Sequence, residues 1–290
     1  SICFDLSVFE FFMPLSMGGA VVLIRNILDI VSGTIKPVSL INSVPSAVKE
    51  LLGSSLDFSK INTVNLAGEL LGQHLVDELY ERGVSKVYDL YGPSEDTTYS
   101  VFCQRMRAGR QVIGKPIDNT QVFILDSLKR LLPIGVVGEL HIGGEGLCRG
   151  YLNNAAENQR RFIQLDIEGE GNEESKRLYR TGDLVKWNQH GELEYVGRRD
   201  FQVKIRGHRV ELGEIEAALR SADNVSEVVV VGSSIGDEHH LIAYLVLNDP
   251  KLGVGAVAGV RAFATEVLPS YALPGLYQLL EKIPLTPNGK

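Results

Sequence analysis

The sequence predicts an α/β large domain, with a mostly parallel sheet followed by a β-barrel-like subdomain, joined by a hinge to a small C-terminal α+β domain. Three observations carry that reading. From Ala20 to about Gln111, apolar strand-like runs alternate with helical periods and glycine turns, as in a parallel sheet with crossover helices. Past about residue 111 the period shortens to β segments joined by tight turns. Finally, the alternating strand Phe201–Arg206 enters a Gly207 turn, and Leu212-Gly213-Glu214-Ile215-Glu216 opens a helix with acidic residues in its first turn. A charged, glycine-bounded strand of this kind suits either a linker or a hinge. The large domain is placed at 1–199, barrel-like from about 111, and the small mobile domain at 200–290.

The elements follow in order. The apolar run Phe4–Leu15 repeats Phe9, Phe12 and Met13 at helical spacing, and Pro14 is expected to bend the helix without ending it. Asp5 in that run reads either as an N-cap or as a counter-charge for a cationic ligand group, because an unpaired carboxylate in apolar surroundings is costly. Ala20–Ile24 reads as a buried parallel strand, Val44–Leu52 as a helix with Pro45 at its start, and Ile61–Gly68 as a strand running into a glycine turn. Leu71, Leu75, Val76 and Leu79 mark a helix ended by Gly83, and Val87–Leu90 the next strand. Ligands of such sheets bind beyond the carboxyl ends of the strands, where Ala67-Gly68-Glu69 and Tyr91-Gly92-Pro93-Ser94-Glu95 fall. The β segments are Val122–Leu125, Gly138–Gly143, Leu184–Trp187 and Leu193–Val196, the last two joined as a hairpin by Asn188–Gly191. Gly143–Gly146 is glycine-rich but carries no Walker pattern, and 168–176 reads as a solvated acidic loop. Helices at 215–219 and 260–267 and strands at 225–231, 241–247 and 277–283 complete the small domain. His239 and His240 read as solvated turn residues.

Composition excludes several classes. At 290 residues with 44% apolar and 22% charged content the chain is an ordinary globular sequence, and its net charge of −7 argues against a basic nucleic-acid-binding face. Cys3, Cys103 and Cys148 are far apart with no metal-ligand spacing, and read as reduced cytosolic thiols. No apolar run is long enough for a membrane span, and the first residues carry no signal-peptide pattern. Since the chain begins without methionine inside what reads as a strand-to-helix element, it is expected to be a piece of something longer.

Seven segments in order resemble the amino-acid-activating adenylation domain of nonribosomal peptide synthetases, within the adenylate-forming, AMP-binding superfamily. They are Phe4–Ser7, Leu90–Glu95, Gly138–Leu152, Tyr179–Leu184, Gly197–Glu216, Leu268–Pro274 and Pro284–Lys290. The resemblance covers the whole chain. It implies ATP- and Mg-dependent formation of an aminoacyl-adenylate, then transfer to the phosphopantetheine thiol of a carrier domain, in cytoplasmic secondary metabolism. Carrier and condensation domains of the same synthetase would be its partners, with neither nucleic acid nor membrane involved.

Under the resemblance Lys290 matches the lysine bridging substrate carboxylate and phosphate, and Glu95 the magnesium-binding glutamate. Asp183 matches the carboxylate for the ribose hydroxyls with Arg198 beside it, Tyr91 the ring stacked on adenine, Gly68 the backbone approaching that ring, and Asp200 the hinge. The specificity positions become Asp5, Leu6, Phe9, Asn42, Asn65, Ala67, Leu90, Thr98, Tyr99 and Lys290. Asp5 then faces the substrate ammonium and Lys290 its carboxylate, which favours α-amino acids over fatty acids. No further charge belongs to that set, its lining is bulky, and it resembles those of alanine-activating domains; serine or glycine is the alternative, since Asn42 and Asn65 offer a hydroxyl hydrogen bonds. The family's phosphate loop is expected upstream of Ser1, so the 290 residues alone are expected to be inactive or nearly so. Asp96 stands where threonine is more usual. Two other readings remain: an acyl-CoA-ligase-like enzyme, and a non-catalytic nucleotide-binding remnant.

Overall fold

Short apolar strands flanked by amphipathic helices build the first layer of the structure, a computed structural model that describes residues 2, 4–32, 37–166, 175–200, 202–205, 207–235 and 238–284. Helix α1 (Leu6–Ser16) runs through Pro14, and is followed by β1 (Leu40–Ser43), α2 (Pro45–Leu52), β2 (Thr63–Ala67), α3 (Gln73–Glu81) and β3 (Lys86–Tyr91). Strands β1, β2 and β3 are parallel neighbours, and β4 (Val101–Arg105) and β5 (Lys115–Pro116) extend the sheet antiparallel. Pro45 sits in the first turn of α2, where its missing N–H costs nothing. Val48, Leu51, Val64, Leu66, Val76 and Leu79 form one core between the sheet and its helices. Alternation along β2 sends Val64 and Leu66 into this core and Ala67 into a second cluster on the opposite face.

The second sheet is antiparallel: β6 (Thr120–Leu125), β7 (Gly138–Gly144), β9 (Lys176–Trp187) and β10 (Leu193–Arg198) in the order β10-β9-β7-β6, with β8 (Phe162–Leu165), which follows helix α4 (Ala155–Arg161), pairing β9. Tyr91 of β3 and Val101 of β4 pack into the core of this sheet with Leu140, Ile142, Val185 and Leu193. Sheet one and sheet two thus share a core, which fixes the carboxyl end of β3 against β9.

The chain divides into two compact units, Ser1–Asp200 and Phe201–Lys290. In the second, the hairpin β11 (Val203–Ile205) and β12 (His208–Val210) turns on Gly207 with φ +77°, a conformation that side-chain-bearing residues rarely adopt. Helix α5 (Leu212–Arg220), with Glu214 in its first turn, and helix α6 (Gly253–Val267) pack with β13 (Val225–Ile235), β14 (Glu238–Leu247) and β15 (Leu276–Leu279); β13 pairs β14 antiparallel and β14 pairs β15 parallel.

Several expectations change. Ala20–Ile24 is not a strand: it has no ladder partner among the described residues, and Leu23 is 76% exposed. An apolar run forms a strand only where a neighbour takes up its backbone groups. Phe9 packs inward but Phe12 is 70% exposed, so only part of the helical stripe is core. His239 and His240 lie within β14, opposite Ser234 and Ser233, and not in a turn, because the β13–β14 hairpin is longer than its apolar pattern. Most of the acidic loop at 168–176, Phe201 and Arg206 of the hinge stretch, and Lys290 lie outside the described residues.

Candidate active site

Two groups of side chains meet beyond the carboxyl ends of β2 and β3. In the first, Leu6 from α1, Ala67 ending β2 and Tyr99 are buried together, with Phe4, Phe9 and Leu90 packed on them. Phe9 meets Tyr99 edge to face at 5.4 Å between ring centres. Tyr99 donates its hydroxyl to Asn42 Oδ1 at 2.8 Å, and Asn42 Nδ2 donates to Glu10 Oε1 at 3.0 Å. Thr98 donates to the Asp5 carbonyl at 2.9 Å, which ties the loop after β3 to the start of α1. Burial, with the charges of Glu10 and Asp5 adding to it, pushes the Tyr99 phenol well above its ordinary range, so it remains a donor. Asn65, also buried, lies beside Asn42 in the β1–β2 register.

Asp5 does not act as an N-cap. Its backbone is already helical, its side chain caps no N–H, and its Oδ2 accepts from Ser94 Oγ at 2.5 Å. Glu69, next to Gly68, accepts from the Ser46 N–H at 2.8 Å and its hydroxyl at 2.9 Å, so the β2 loop holds the N-terminus of α2. Gly68 itself has φ +84°.

The second group surrounds Asp183. Its two oxygens accept from Tyr91 Oη at 2.5 Å and Arg198 Nη1 at 2.8 Å, and its backbone N–H is held by Thr181 Oγ1 at 3.0 Å. Burial and the neighbouring carboxylate hold the Tyr91 hydroxyl protonated, and Tyr195 is raised for the same two reasons. Arg198 also grips Asp200 through Nε at 2.7 Å and Nη2 at 2.9 Å, a two-point bond of fixed geometry, and Asp200 is the last residue of the first unit.

Glu95 is 6% exposed and accepts from the Tyr151 hydroxyl, which burial first and then this bond keep protonated. Asp96 beside it is 1% exposed: Oδ2 accepts from Ser100 at 2.6 Å, and Oδ1 has no hydrogen-bond partner among the described residues. Burial raises its carboxyl. Gly92 is required here, because a Cβ would meet the Thr98 carbonyl oxygen at 2.5 Å. The described residues contain no cluster of three or more His, Cys, Asp or Glu that could hold a metal.

The structure thus brings together Asp5, Leu6, Phe9, Asn42, Ala67, Leu90, Thr98 and Tyr99, and separately Tyr91, Asp183 and Arg198. Sequence reading missed Ser94, Tyr151 and above all Glu10. That second carboxylate in the first helical run is bonded to Asn42, a member of the expected specificity set, in which the sequence reading counts no charge beyond Asp5 and Lys290. Hollows of about 150 Å³ (by Ile30, Leu56 and Ile61) and about 280 Å³ (by Asn224, Gly259 and Phe263) lie on residues of neither group.

Residues 1–152 match the model of the AMP-binding enzyme, and residues 214–290 that of the AMP-binding enzyme C-terminal domain. One linear gramicidin synthase polypeptide of Brevibacillus parabrevis is 46% identical over 296 residues, covering 100% of this chain and 6% of that protein. Tyrocidine synthase 3 of the same organism is 37% identical, covering 99% of this chain and 4% of its own length. The chain therefore spans only a small fraction of these relatives. Among solved structures, a four-domain nonribosomal peptide synthetase bound to AMP and glycine superposes with a TM-score of 0.63 at 34% identity, over 100% of this chain and 22% of that one. An artificially fused adenylation–PCP di-domain from Klebsiella oxytoca has a TM-score of 0.79 over 96% of this chain and 52% of that one; at 22% identity it speaks for the fold alone. No helix among the described residues is long and apolar enough to cross a membrane. The chain belongs to the AMP-binding enzyme family and, within it, to the adenylation domains of nonribosomal peptide synthetases.

Proposed function

We propose that this chain activates a small α-amino acid, alanine foremost, as its aminoacyl-adenylate. The observation that carries the reading is the closed cluster of Leu6, Phe9, Ala67, Leu90 and Tyr99 beside the Asp5 carboxylate. A carboxylate at the edge of an apolar cluster matches a substrate with an ammonium and a small side chain. The substrate carboxylate oxygen attacks the α-phosphorus of ATP, an O–P bond forms, and the α–β anhydride bond breaks to release pyrophosphate. Bringing two anions together is a problem of position and charge. Asp5 orients the ammonium, and Tyr91, Asp183 and Arg198 form a preorganised polar wall for the nucleoside. Glu95 would hold magnesium, which would supply charge neutralisation at the phosphates. To Lys290 the resemblance assigns the positive charge between the two anions. In the second half a carrier's phosphopantetheine thiol attacks the acyl carbon, a thioester forms, and AMP leaves. Asp200 is proposed as the hinge between the two reactions.

The test is amino-acid-dependent ATP–pyrophosphate exchange across a substrate panel, on the whole product of the gene. Alanine leading, with exchange lost in Lys290→Ala, supports the reading. Exchange led by a large or charged amino acid sinks the pocket assignment and leaves the mechanism standing. Silence from a folded protein that binds ATP overturns the enzyme reading in favour of a nucleotide-binding remnant.

A further inference from the structure

We propose that Glu10 is a specificity-determining positioning residue: it locks Asn42 so that the Tyr99 donor is held within the cluster and a substrate hydroxyl is disfavoured. The proposal rests on the amino-acid-activating reading above and deepens it. An ionised carboxylate only accepts hydrogen bonds, so the group of Asn42 facing Glu10 must be its NH₂. The amide carbonyl is thereby turned to Tyr99, whose hydroxyl can only donate to it. The relay Tyr99→Asn42→Glu10 runs in one direction, and ends on a charge that strengthens each link.

This direction decides what the site offers a substrate. The Tyr99 proton is spent on Asn42, and one Asn42 N–H is spent on Glu10. A serine hydroxyl arriving here finds the Tyr99 donor engaged and is left the second Asn42 N–H and oxygens that already accept or donate, whereas an alanine methyl asks for nothing. Serine thus pairs less well here than it would with a free Tyr99 donor, and hydrogen-bond matching adds to what one methyl group discriminates. Asn42, which together with Asn65 kept serine as an alternative from sequence, weighs toward alanine once its orientation is fixed.

Glutamine at position 10 removes the constraint, because it can donate as well as accept. Asn42 is then free to turn over, present its NH₂ to the Tyr99 oxygen, and release the Tyr99 proton toward the substrate. In pyrophosphate exchange, Glu10→Gln is expected to lower the alanine-to-serine ratio of kcat/KM about tenfold, the worth of one hydrogen bond, with the change carried by the KM for serine. An unchanged ratio in a variant with wild-type melting temperature overturns the proposal. A second measurement needs no turnover: the side-chain NH₂ resonances of Asn42, identified by their loss in Asn42→Asp. They should sit apart from ordinary amide positions in the wild type and move toward them in Glu10→Gln. Resonances that stay put refute the lock whichever amino acid leads the exchange panel. Moved resonances uphold it even where alanine fails to lead, so the two readings fall separately.

Discussion

Tyr91 donates its hydroxyl to Asp183 at 2.5 Å, across 92 residues of sequence and between the two sheets of the first unit. The bond fixes a ring proposed to stack on adenine to a carboxylate proposed to accept the ribose. Tyr91→Phe keeps the ring and removes one donor to a buried charge. It should cost about 1.5–3 kcal/mol of stability, the range for hydrogen bonds to charged groups. The KM for ATP should rise more than that for the amino acid. Urea unfolding with paired KM measurements checks both, and equal effects on the two KM values count against the proposed nucleotide face.

Asp5 Oδ2 is met by Ser94 Oγ at 2.5 Å. Asp5→Ala should therefore reduce amino-acid kcat/KM by about a hundredfold or more, because a desolvated ammonium loses its counter-charge. Ser94→Ala, which spares the charge, should cost about tenfold or less. Exchange kinetics separate the two. Similar losses in both variants would mean that Asp5 serves only to anchor the loop after β3.

Much of this architecture is legible in sequence because its determinants are local. Pro45 at the start of α2 and the β2–α3–β3 alternation announce themselves within a few residues. Asp5, Tyr91 and Asp183 stand inside contiguous motifs. Glu10 is different: one residue past Phe9, it gains meaning only from Asn42, 32 positions away, and that contact requires the folded β1. Ala20–Ile24 fails for the complementary reason. Its hydrophobicity is local but strand formation depends on a neighbour, and the segment alone does not reveal one.

Arg105 and Asp89 form a buried ion pair at 2.8 Å, with side chains 1% and 9% exposed, and Arg105 also donates to the Leu71 carbonyl and to Gln73. Arg105→Met strips the guanidinium from a buried carboxylate and should destabilise the first unit by about 3–5 kcal/mol. Adding Asp89→Leu removes the carboxylate that has lost this guanidinium. The double variant should therefore be less destabilised than the sum of the two single changes, by about 1 kcal/mol or more, as neighbours sharing one network are non-additive. Denaturant titration of all four proteins completes the cycle. Strict additivity would show that the pair contributes nothing as a pair.

Glu157 gives the fold an acid-sensitive joint. Its carboxylate accepts from Arg160 Nε at 2.7 Å and Nη2 at 2.6 Å, and from Arg161 Nε at 2.9 Å, while Asn154 caps its backbone N–H at 3.2 Å. The Arg160 bonds first, then those from Arg161, hold its pKa at about 2, below the ordinary 4.5. A carboxylate depressed in the folded state binds protons more readily when unfolded, so its contribution is present in full above about pH 4.5 and fades as pH falls toward 2. Partial exposure screens the pair, which puts the contribution on the order of 1 kcal/mol at neutral pH. Glu157→Gln should thus unfold at lower urea than the wild type at pH 7, with the gap closing between pH 4.5 and the acid limit. Arg161 reaches Asp200 at 3.6 Å, so the same acid range should loosen the end of the first unit, visible as faster amide exchange at 198–200. A gap that stays constant with pH would assign the loss in Glu157→Gln to the changed side chain's packing and not to its charge.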